Sequence, residues 1–403
     1  MSSPVTTKGD HPVNPAVDLV SGEFWGRNPH DELTWLRENA PVYWDGRVWG
    51  IASHADLKSV SLQPKLFCNG GGIRPDNGPV AQFIDLDGAE HKRRRNLINR
   101  GFTPRRLTDS VGRINEICNR IVDNVIERGE CDAVKDMAAW LPMHAIGDML
   151  GFPEADRADL LKWSDDMMCA LDGKTESIVS AAAAYGGFRE FCLKAIEDRR
   201  RNPGNDLLSL LIAGGGADGG EVDIDDLIHD SLLILIGGDE TTRHVISGGL
   251  YQLLRNADAK QALIDDPSKI PTAVEEMLRW VSPIKNMART VVEDTELNGQ
   301  RLEAGDKLLL LYGSANRDAT VFVDPFRFDI ARTPNDHVAF GIGTHFCLGN
   351  NLARLELRCF FETILRRMPD LELVDETEPA YRPANFVSGY ESMPVRFTPS
   401  FAE

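Results

Sequence analysis

One cysteine in the stretch HVAFGIGTHFCLGNNLARLELRCFF (337–361) is placed where a thiol can do chemistry. Cys347 follows a run of glycines and precedes Leu348, Leu352, Leu355 and Cys359, whose spacing predicts a helix with Arg354, Arg358, Arg366 and Arg367 as its polar complement. Its sulfur would then sit at a helix N-terminus, where amide N–H groups without intrahelical partners favour a thiolate. Gly341, Gly343 and Gly349 let the backbone approach a flat, bulky group and aim N–H groups at the sulfur. Three simpler roles compete. An inert core thiol needs no such setting; a structural zinc site needs four ligands, and only His345 and Cys359 are near. A nucleophile needs a base, and none is supplied locally. A lone thiolate on a rigid glycine loop suits an axial ligand of haem iron, where its electron donation favours O–O cleavage.

Other residues could serve such a centre. Gly237 and Gly238 open GGDETT (237–242), directly after the apolar run LLILI. Each glycine inside a helix costs roughly 1 kcal/mol relative to alanine. One reading is a kink in which a threonine hydroxyl bonds back to the preceding turn. The other is a groove on the haem's distal face, where the glycines leave room for dioxygen and Glu240 and Thr241 carry protons to it. Glu276 and Arg279 form E-x-x-R on EEMLRW; such pairs are common on exposed helix faces and contribute a few tenths of a kcal/mol. His91 and Arg95, four apart in EHKRRRN, share a helix face, while Lys92, Arg93 and Arg94 point elsewhere. The latter three are a solvated basic face or a docking patch for an acidic partner.

FGIGTHFCLG (340–349) resembles the haem-binding loop of the cytochrome P450 family, F-x-x-G-x-x-x-C-x-G, with Phe340, Gly343, Cys347 and Gly349 in register. GGDETT is similar to the family's (A/G)-G-x-(D/E)-T-T segment, Gly237 standing where alanine is frequent, and the E-x-x-R pair falls between the two in the family's order. The resemblance runs from about residue 20 to the end. It implies one domain over 1–403 with a poorly ordered arm at 1–20, and a mainly α protein with small β-sheets (α+β), a helical core beside a β-rich subdomain. It implies haem b (iron protoporphyrin IX) with Cys347 as axial iron ligand. His91, Arg95, Arg289 and His345 would pair with the propionates, and Phe340, Gly341, Gly349, Gly237 and Gly238 would also contact the cofactor. Glu240 and Thr241 would be catalytic, Glu276 and Arg279 structural, bracing the core behind the cysteine loop. Partners would be O2 and a ferredoxin-type electron donor.

GGIRP, LILIGGDETTRH, EEMLRW-x-x-P-x-K-N-M and RPANFVSG-x-ESMP are similar to the mycobacterial sterol side-chain oxidases of that family. This implies oxidation of the terminal methyl of cholesterol or cholest-4-en-3-one. The apolar pocket would be walled by Ile73, Ile236, Val281, Pro283, Ile284, Met287, Phe386 and Val387, and the glycine-containing segment 67–83 would gate it. Rival readings are oxidation of a fatty acid or terpenoid, a peroxide-driven peroxygenase, which tends to lose the acid–alcohol pair, and a non-catalytic haem sensor.

The elements that must position these residues are legible in outline. PVYW-DG-RVWGIA (41–52) predicts a hairpin around Asp-Gly, RTVVEDTELNGQRLEAGDKLLLLY (289–312) further strands with Asn-Gly and Gly-Asp turns, and the C-terminal segment a third β region. Residues 105–280 are almost entirely helical in pattern. A helix over 177–201 ends at Asn-Pro-Gly, another opens with Pro271, and one of about 33 residues, roughly 50 Å long, starts at acidic residues near 223. GGGADGGEVD (214–223) reads as a flexible loop before it. The chain has 403 residues, 42% of them hydrophobic and 26% charged, as in ordinary globular proteins. A net charge of −18, from 44 basic and 62 acidic residues, disfavours nucleic acid as a partner. The 7 cysteines without C-x-x-C spacing read as reduced thiols, the N-terminus lacks a signal peptide, and LLILI is far too short to span a membrane. The expectation is a cytoplasmic protein.

Overall fold

The computed structural model describes residues 8–76, 78–80, 82–170, 174–215 and 222–402. Most of predicted loop 214–223 and positions 77 and 81 of segment 67–83 lie outside the described residues, as do residues 1–7 of the predicted arm. The end of that arm is packed. Leu19 is fully buried, Val17 nearly so, and Trp25 Nε1 donates to Leu19 O at 2.9 Å. Two large apolar side chains close to one another suffice to hold so short a segment.

Helices dominate: α1 (Gly22–Gly26), α2 (His30–Asn39), α3 (His54–Ser61), α4 (Gly88–Asn99), α5 (Pro104–Ile126), α6 (Trp140–Leu150) and α7 (Arg157–Cys169) fill the first half. Then come α8 (Thr175–Arg201), α9 (Leu207–Ala213), α10 (Ile224–Arg255), α11 (Ala257–Asp265), α12 (Ile270–Val281), α13 (Tyr312–Ala315) and α14 (Asn350–Arg367). The Asp223 carboxylate caps α10 by accepting from the amides of Asp225 and Asp226, whose own charges favour the positive end of the helix dipole. With 32 residues α10 runs about 48 Å. Its helical assignment is unbroken through Gly237 and Gly238. α6, α12 and α14 pack against it, and its second half, from Thr242 to Leu250, is buried all round.

A five-stranded sheet in the order β1-β2-β8-β5-β3 lies apart from this helical core, with its own apolar clusters on either side. The hairpin at Asp45-Gly46 joins β1 (Val42–Trp44) to β2 (Trp49–Ile51). β3 (Phe67–Cys68) pairs β5 (Met287–Val291), and β5 pairs β8 (Lys307–Leu310). Between them β6 (Thr295–Leu297) and β7 (Gln300–Leu302) turn at Asn298-Gly299, both with positive φ, as the tightest hairpins require. β4 (Glu130–Asp132), β9 (Glu372–Leu373) and β10 (Pro394–Arg396) make a smaller sheet. β4 interrupts the stretch predicted to be helical, and three residues are too few to show a period of two. Among the described residues no helix is long and apolar enough to cross a membrane.

Candidate functional site

The cysteine loop is a closed turn in front of α14. Cys347 N donates to Phe340 O at 2.9 Å, and Asn350 Nδ2 donates to Cys347 O at 2.8 Å. Gly341 and Gly343 hold φ of +69° and +81°, and a Cβ on Gly343 would lie 2.5 Å from Ser61 O. Glycine is required there for both conformation and space. Gly349 is the N-cap of α14. Burial pushes the Cys347 thiol up, while the amides of Gly349 and Asn350 and the charges of Arg95 and Arg354 act the other way. The sulfur faces a cleft and is otherwise enclosed by protein. A metal ion bound to the sulfur would overcome that burial, since a coordinating thiol is deprotonated outright.

That cleft contains about 1870 Å³ free of protein atoms, mouth included, and both Cys347 and the middle of α10 line it. The two glycines there do different jobs. A Cβ on Gly237 would meet nothing within 4 Å, so this position leaves open space. A Cβ on Gly238 would lie 2.8 Å from Ile146, so this glycine lets α6 approach α10. Thr241 Oγ1 donates to Gly237 O at 2.8 Å, the back-bonded geometry, while the residue also lines the cleft. The two sequence readings of this segment are therefore compatible.

Glu240 is fully buried and its carboxylate is held by cations. Arg243 Nη2 donates to Oε1, Arg382 Nη1 to Oε2 at 2.9 Å, and His244 Nε2 lies 3.4 Å away. Burial acts to raise the Glu240 pKa, but Arg243, Arg382 and His244 together hold it well below the usual carboxylate range. Asp239 is pushed the other way, chiefly by burial. Ser164 Oγ donates to its Oδ2 at 2.9 Å, whereas Oδ1 has no hydrogen-bond partner among the described residues. From Glu240 two ion-pair chains reach outward: Arg243 to Asp165 at 2.8 Å, and Arg382 to Glu391 at 3.3 Å, where both acids are substantially exposed.

A cationic edge adjoins the cysteine loop. Arg95, Arg289 and His345 line the cleft; Arg289 is 4% exposed. Arg95 Nη2 donates to Phe346 O. His91 does not reach the wall. It stacks on His345, a lining residue, with ring centroids 4.0 Å apart. Buried His345 Nδ1 and His91 Nε2 have no partner among the described residues. Asp87 accepts from the amides of Asn69 and Gly70 and lies 3.7 Å from His345 Nε2, tying three segments together. Tyr312 lines the same edge beside Arg289. Sequence reasoning missed Asp87 and Tyr312; the one available signal was Asp87 as an acidic residue just ahead of a helix. A set of buried cationic and N–H donors beside a thiol suits the carboxylates of a haem, and Phe340, Gly341 and Gly349 line the same space. The residues present fit that group.

Glu276 and Arg279 lie behind the loop, both fully buried. Arg279 Nε and Nη2 each donate to the Glu276 carboxylate at 2.7 Å, and Nη1 donates to Asn316 O and Pro325 O. Glu276 also accepts from Asp329 N at 2.9 Å and Arg332 Nε at 3.1 Å. Asn316 Oδ1 in turn accepts from Val338 N at 2.7 Å, at the start of the cysteine loop.

Of the predicted substrate contacts, Ile73, Ile236, Pro283, Ile284, Met287, Phe386 and Val387 line the cleft. Val281 does not. It ends α12 and turns onto α10, its Cγ2 2.7 Å from where a Cβ on Gly248 would lie. Ile234 of the apolar run on α10 and Phe83 of the predicted gating segment join the wall, as does Met168, which sequence reasoning missed. An isolated bridge between Ile284 and Val387 joins two of the predicted segments. A separate open groove between α5, α12 and α14 contains neither Cys347 nor any residue of α10.

Residues 143–387 match the family model described as cytochrome P450. The steroid C26-monooxygenase of Mycolicibacterium smegmatis is 49% identical over 394 residues, which is 96% of this chain and 98% of the relative. The steroid C26-monooxygenase of Mycobacterium tuberculosis strain H37Rv is 49% identical over 393 residues, again 96% and 98%. Among solved structures, a Mycobacterium marinum cytochrome P450 in complex with pseudoionone superposes with a TM-score of 0.89 at 32% identity, covering 96% of this chain and 99% of that one.

Proposed function

The chain belongs to the cytochrome P450 family, and from that premise we propose that it inserts one oxygen atom of O2 into the terminal methyl of a sterol side chain. The observation that carries this reading is a single cleft with a thiol on a glycine loop, a glycine–threonine groove on α10, a cationic edge and an otherwise apolar wall. The relatives' steroid substrates supply the lipid class. Cholesterol and cholest-4-en-3-one are the specific candidates.

Cys347 would hold the iron of haem b, and the amides of Gly349 and Asn350 would offset part of the thiolate charge. Arg95, Arg289 and His345 would bind the propionates, with His91 stacked on His345 and Asp87 orienting that ring. Haem, when bound, supplies the activation of O2 and the oxidation of carbon. Gly237 leaves the space for O2 beside Thr241. Thr241, released from Gly237 O, donates its hydroxyl proton into the groove. Glu240 replaces that proton, and it is itself recharged when Arg243 or Arg382 swings towards Asp165 or Glu391 and admits solvent to the carboxylate, since a guanidinium does not itself pass a proton on. A carboxylate held by two arginines keeps its charge when buried, so a proton arriving on it is passed on rather than retained. Glu276 and Arg279 brace the loop from 316 to 338 that leads into the cysteine turn. The apolar wall excludes water from the reacting carbon.

A network around Glu240 suits an enzyme that takes electrons and protons in separate steps, and the electron donor is a ferredoxin-type protein docking on the basic face of α4 around Lys92 and Arg93; Arg94, expected in that patch, is instead buried in ion pairs with Asp226 and Asp230. The protein works in the cytoplasm, consistent with its unpaired thiols. Titration of the haem-loaded enzyme with sterols and fatty acids tests the substrate class through the spin-state shift. Response to cholest-4-en-3-one with none to fatty acids supports the reading; the reverse removes it.

A further inference from the structure

Polar side chains on the cleft wall fall into three groups. One surrounds Arg289 at the cofactor edge, and one surrounds Glu240 on α10. The third, Arg74 and Gln82, belongs to neither. Both lie on the segment between β3 and α4, and that segment is braced. Asp85 accepts from Ile73 N at 3.0 Å and Val80 N at 2.7 Å, and Lys307 Nζ donates to Arg74 O at 2.8 Å. Gln82 Nε2 reaches only His229 O, at 3.4 Å. His229 precedes Gly237 by eight residues on α10, so Gln82 stands about 12 Å along the cleft from the oxygen groove. Asp85 lies near enough to attract the Arg74 charge, yet both its oxygens are taken by backbone amides. The Arg74 guanidinium has no hydrogen-bond or ion-pair partner among the described residues. A donor fork and an underused amide on an apolar wall, the amide well along the cleft from the oxygen groove, offer hydrogen bonds to an acceptor oxygen.

We infer that Arg74 and Gln82 bind the polar end of the lipid, taking an acceptor oxygen on the ring farthest from the carbon that is oxidised. This rests on the sterol reading above. Arg74 only donates, while Gln82 can donate through Nε2 or accept through Oε1, so the pair can hold a ketone, which accepts from both, or a hydroxyl, which accepts from one and donates to the other. The apolar remainder of the molecule then extends along the wall towards Cys347, which leaves the terminal methyl as the part that arrives there. Selection of the terminal carbon is in this view set at the far end of the cleft.

The test is spin-shift titration of the haem-loaded enzyme with cholest-4-en-3-one, cholesterol and 5α-cholestane, which lacks the oxygen. The wild type should bind the ketone about 10-fold more tightly than cholestane, a difference of about 1.4 kcal/mol. Arg74→Leu and Gln82→Leu should each lose several-fold for the ketone and leave cholestane unchanged, with Arg74→Lys recovering part of the loss. Equal binding of ketone and cholestane by the wild type overturns the inference. So does equal weakening of both ligands in Gln82→Leu, which disturbs no ion pair and guards against a folding defect in the arginine variant. Product analysis separates the two readings. Selective loss of ketone binding with hydroxylation away from the side chain would leave Arg74 and Gln82 in place and remove the side-chain assignment.

Discussion

Two buried pairs in this protein have the same sequence spacing and the same burial but different surroundings. Glu276 and Arg279 on α12, and Glu240 and Arg243 on α10, are each a glutamate three residues before an arginine with almost no exposed surface. Around the first pair the remaining donors and acceptors are met largely by backbone: carbonyls of Asn316 and Pro325, and the amide of Asp329. Around the second they are met by side chains that lead away to the surface: Arg382 and Asp165. Backbone partners fix one arrangement. Side-chain partners can be exchanged, and beside the second pair stands Asp239, one oxygen of which has no partner. Spacing thus does not separate a brace from a relay; the identity of the third and fourth partners does.

The largest effect should come from breaking the brace. Glu276→Ala leaves Arg279 buried and uncompensated, an arrangement that costs about 3–5 kcal/mol. That is a large share of the stability of a typical protein. Denaturant unfolding and Soret absorbance should show little folded, haem-loaded protein at 37 °C. A variant that loads haem normally would mean that the loop from 316 to 338 does not depend on this pair.

Glu240→Gln is the matched change on α10 and should separate the two. It keeps the size and one acceptor, and its effect on stability should be about 1–3 kcal/mol, since Arg243 and Arg382 retain Asp165 and Glu391. Haem should still load. Turnover should fall about 10- to 100-fold, in the range expected for loss of an acid–base group, with a solvent isotope effect larger than that of the wild type. Equal loss of haem in this variant and in Glu276→Ala would erase the distinction drawn between the pairs.

What could be read in the sequence follows the same division between local and distant partners. Caps, period and hairpin turns are local, so α10, α12 and the Asp-Gly and Asn-Gly turns were legible, as was the cysteine loop. The E-x-x-R spacing of Glu240 and Arg243 was also visible, but Arg382 lies more than a hundred residues away and nothing in GGDETT announces it. Gly238 was read as room for oxygen because Ile146 on α6 could not be foreseen beside it. Val281 was placed on the cleft wall because its neighbours in sequence are there, whereas a helix end turned it onto Gly248. β4 exists because β10 pairs with it, a contact spanning most of the chain.

Thr241→Ala should have a smaller effect on folding than either glutamate change, since it removes one back-bond within a continuous helix, worth about 0.5–1.5 kcal/mol or less. The consequence belongs to the chemistry. Product formed per electron consumed should fall about 10-fold, with haem content and sterol affinity unchanged. Unaltered product yield would remove Thr241 from the proton path and leave Glu240 without a delivery partner.

Lys285 sharpens the comparison from the opposite side, because it is a buried ion with no acidic partner among the described residues. It is 7% exposed, its Nζ lies 3.5 Å from Ser282 O and 5.2 Å from the Tyr381 ring centroid, and the nearby charge of Arg317 is of the same sign. Burial first, and Arg317 second, lower its pKa to about 7. In the unfolded chain the amine keeps its proton until about pH 10.4. Between about pH 7 and 10 the unfolded state therefore binds the extra proton, so this group makes stability rise with pH across that window. Below about pH 7 both states are protonated and the cost of the buried charge is fully present. Lys285→Met should remove that cost, raising stability by about 1–2 kcal/mol at pH 6, by analogy with apolar replacement of buried ions. The gain should shrink steadily towards pH 10. Chemical denaturation of both proteins at four or five pH values measures the difference. A gain that does not change with pH would mean that the methionine packs better and that the amine was never the issue. Loss of stability at every pH would show that Lys285 has a partner as effective as those of Arg279.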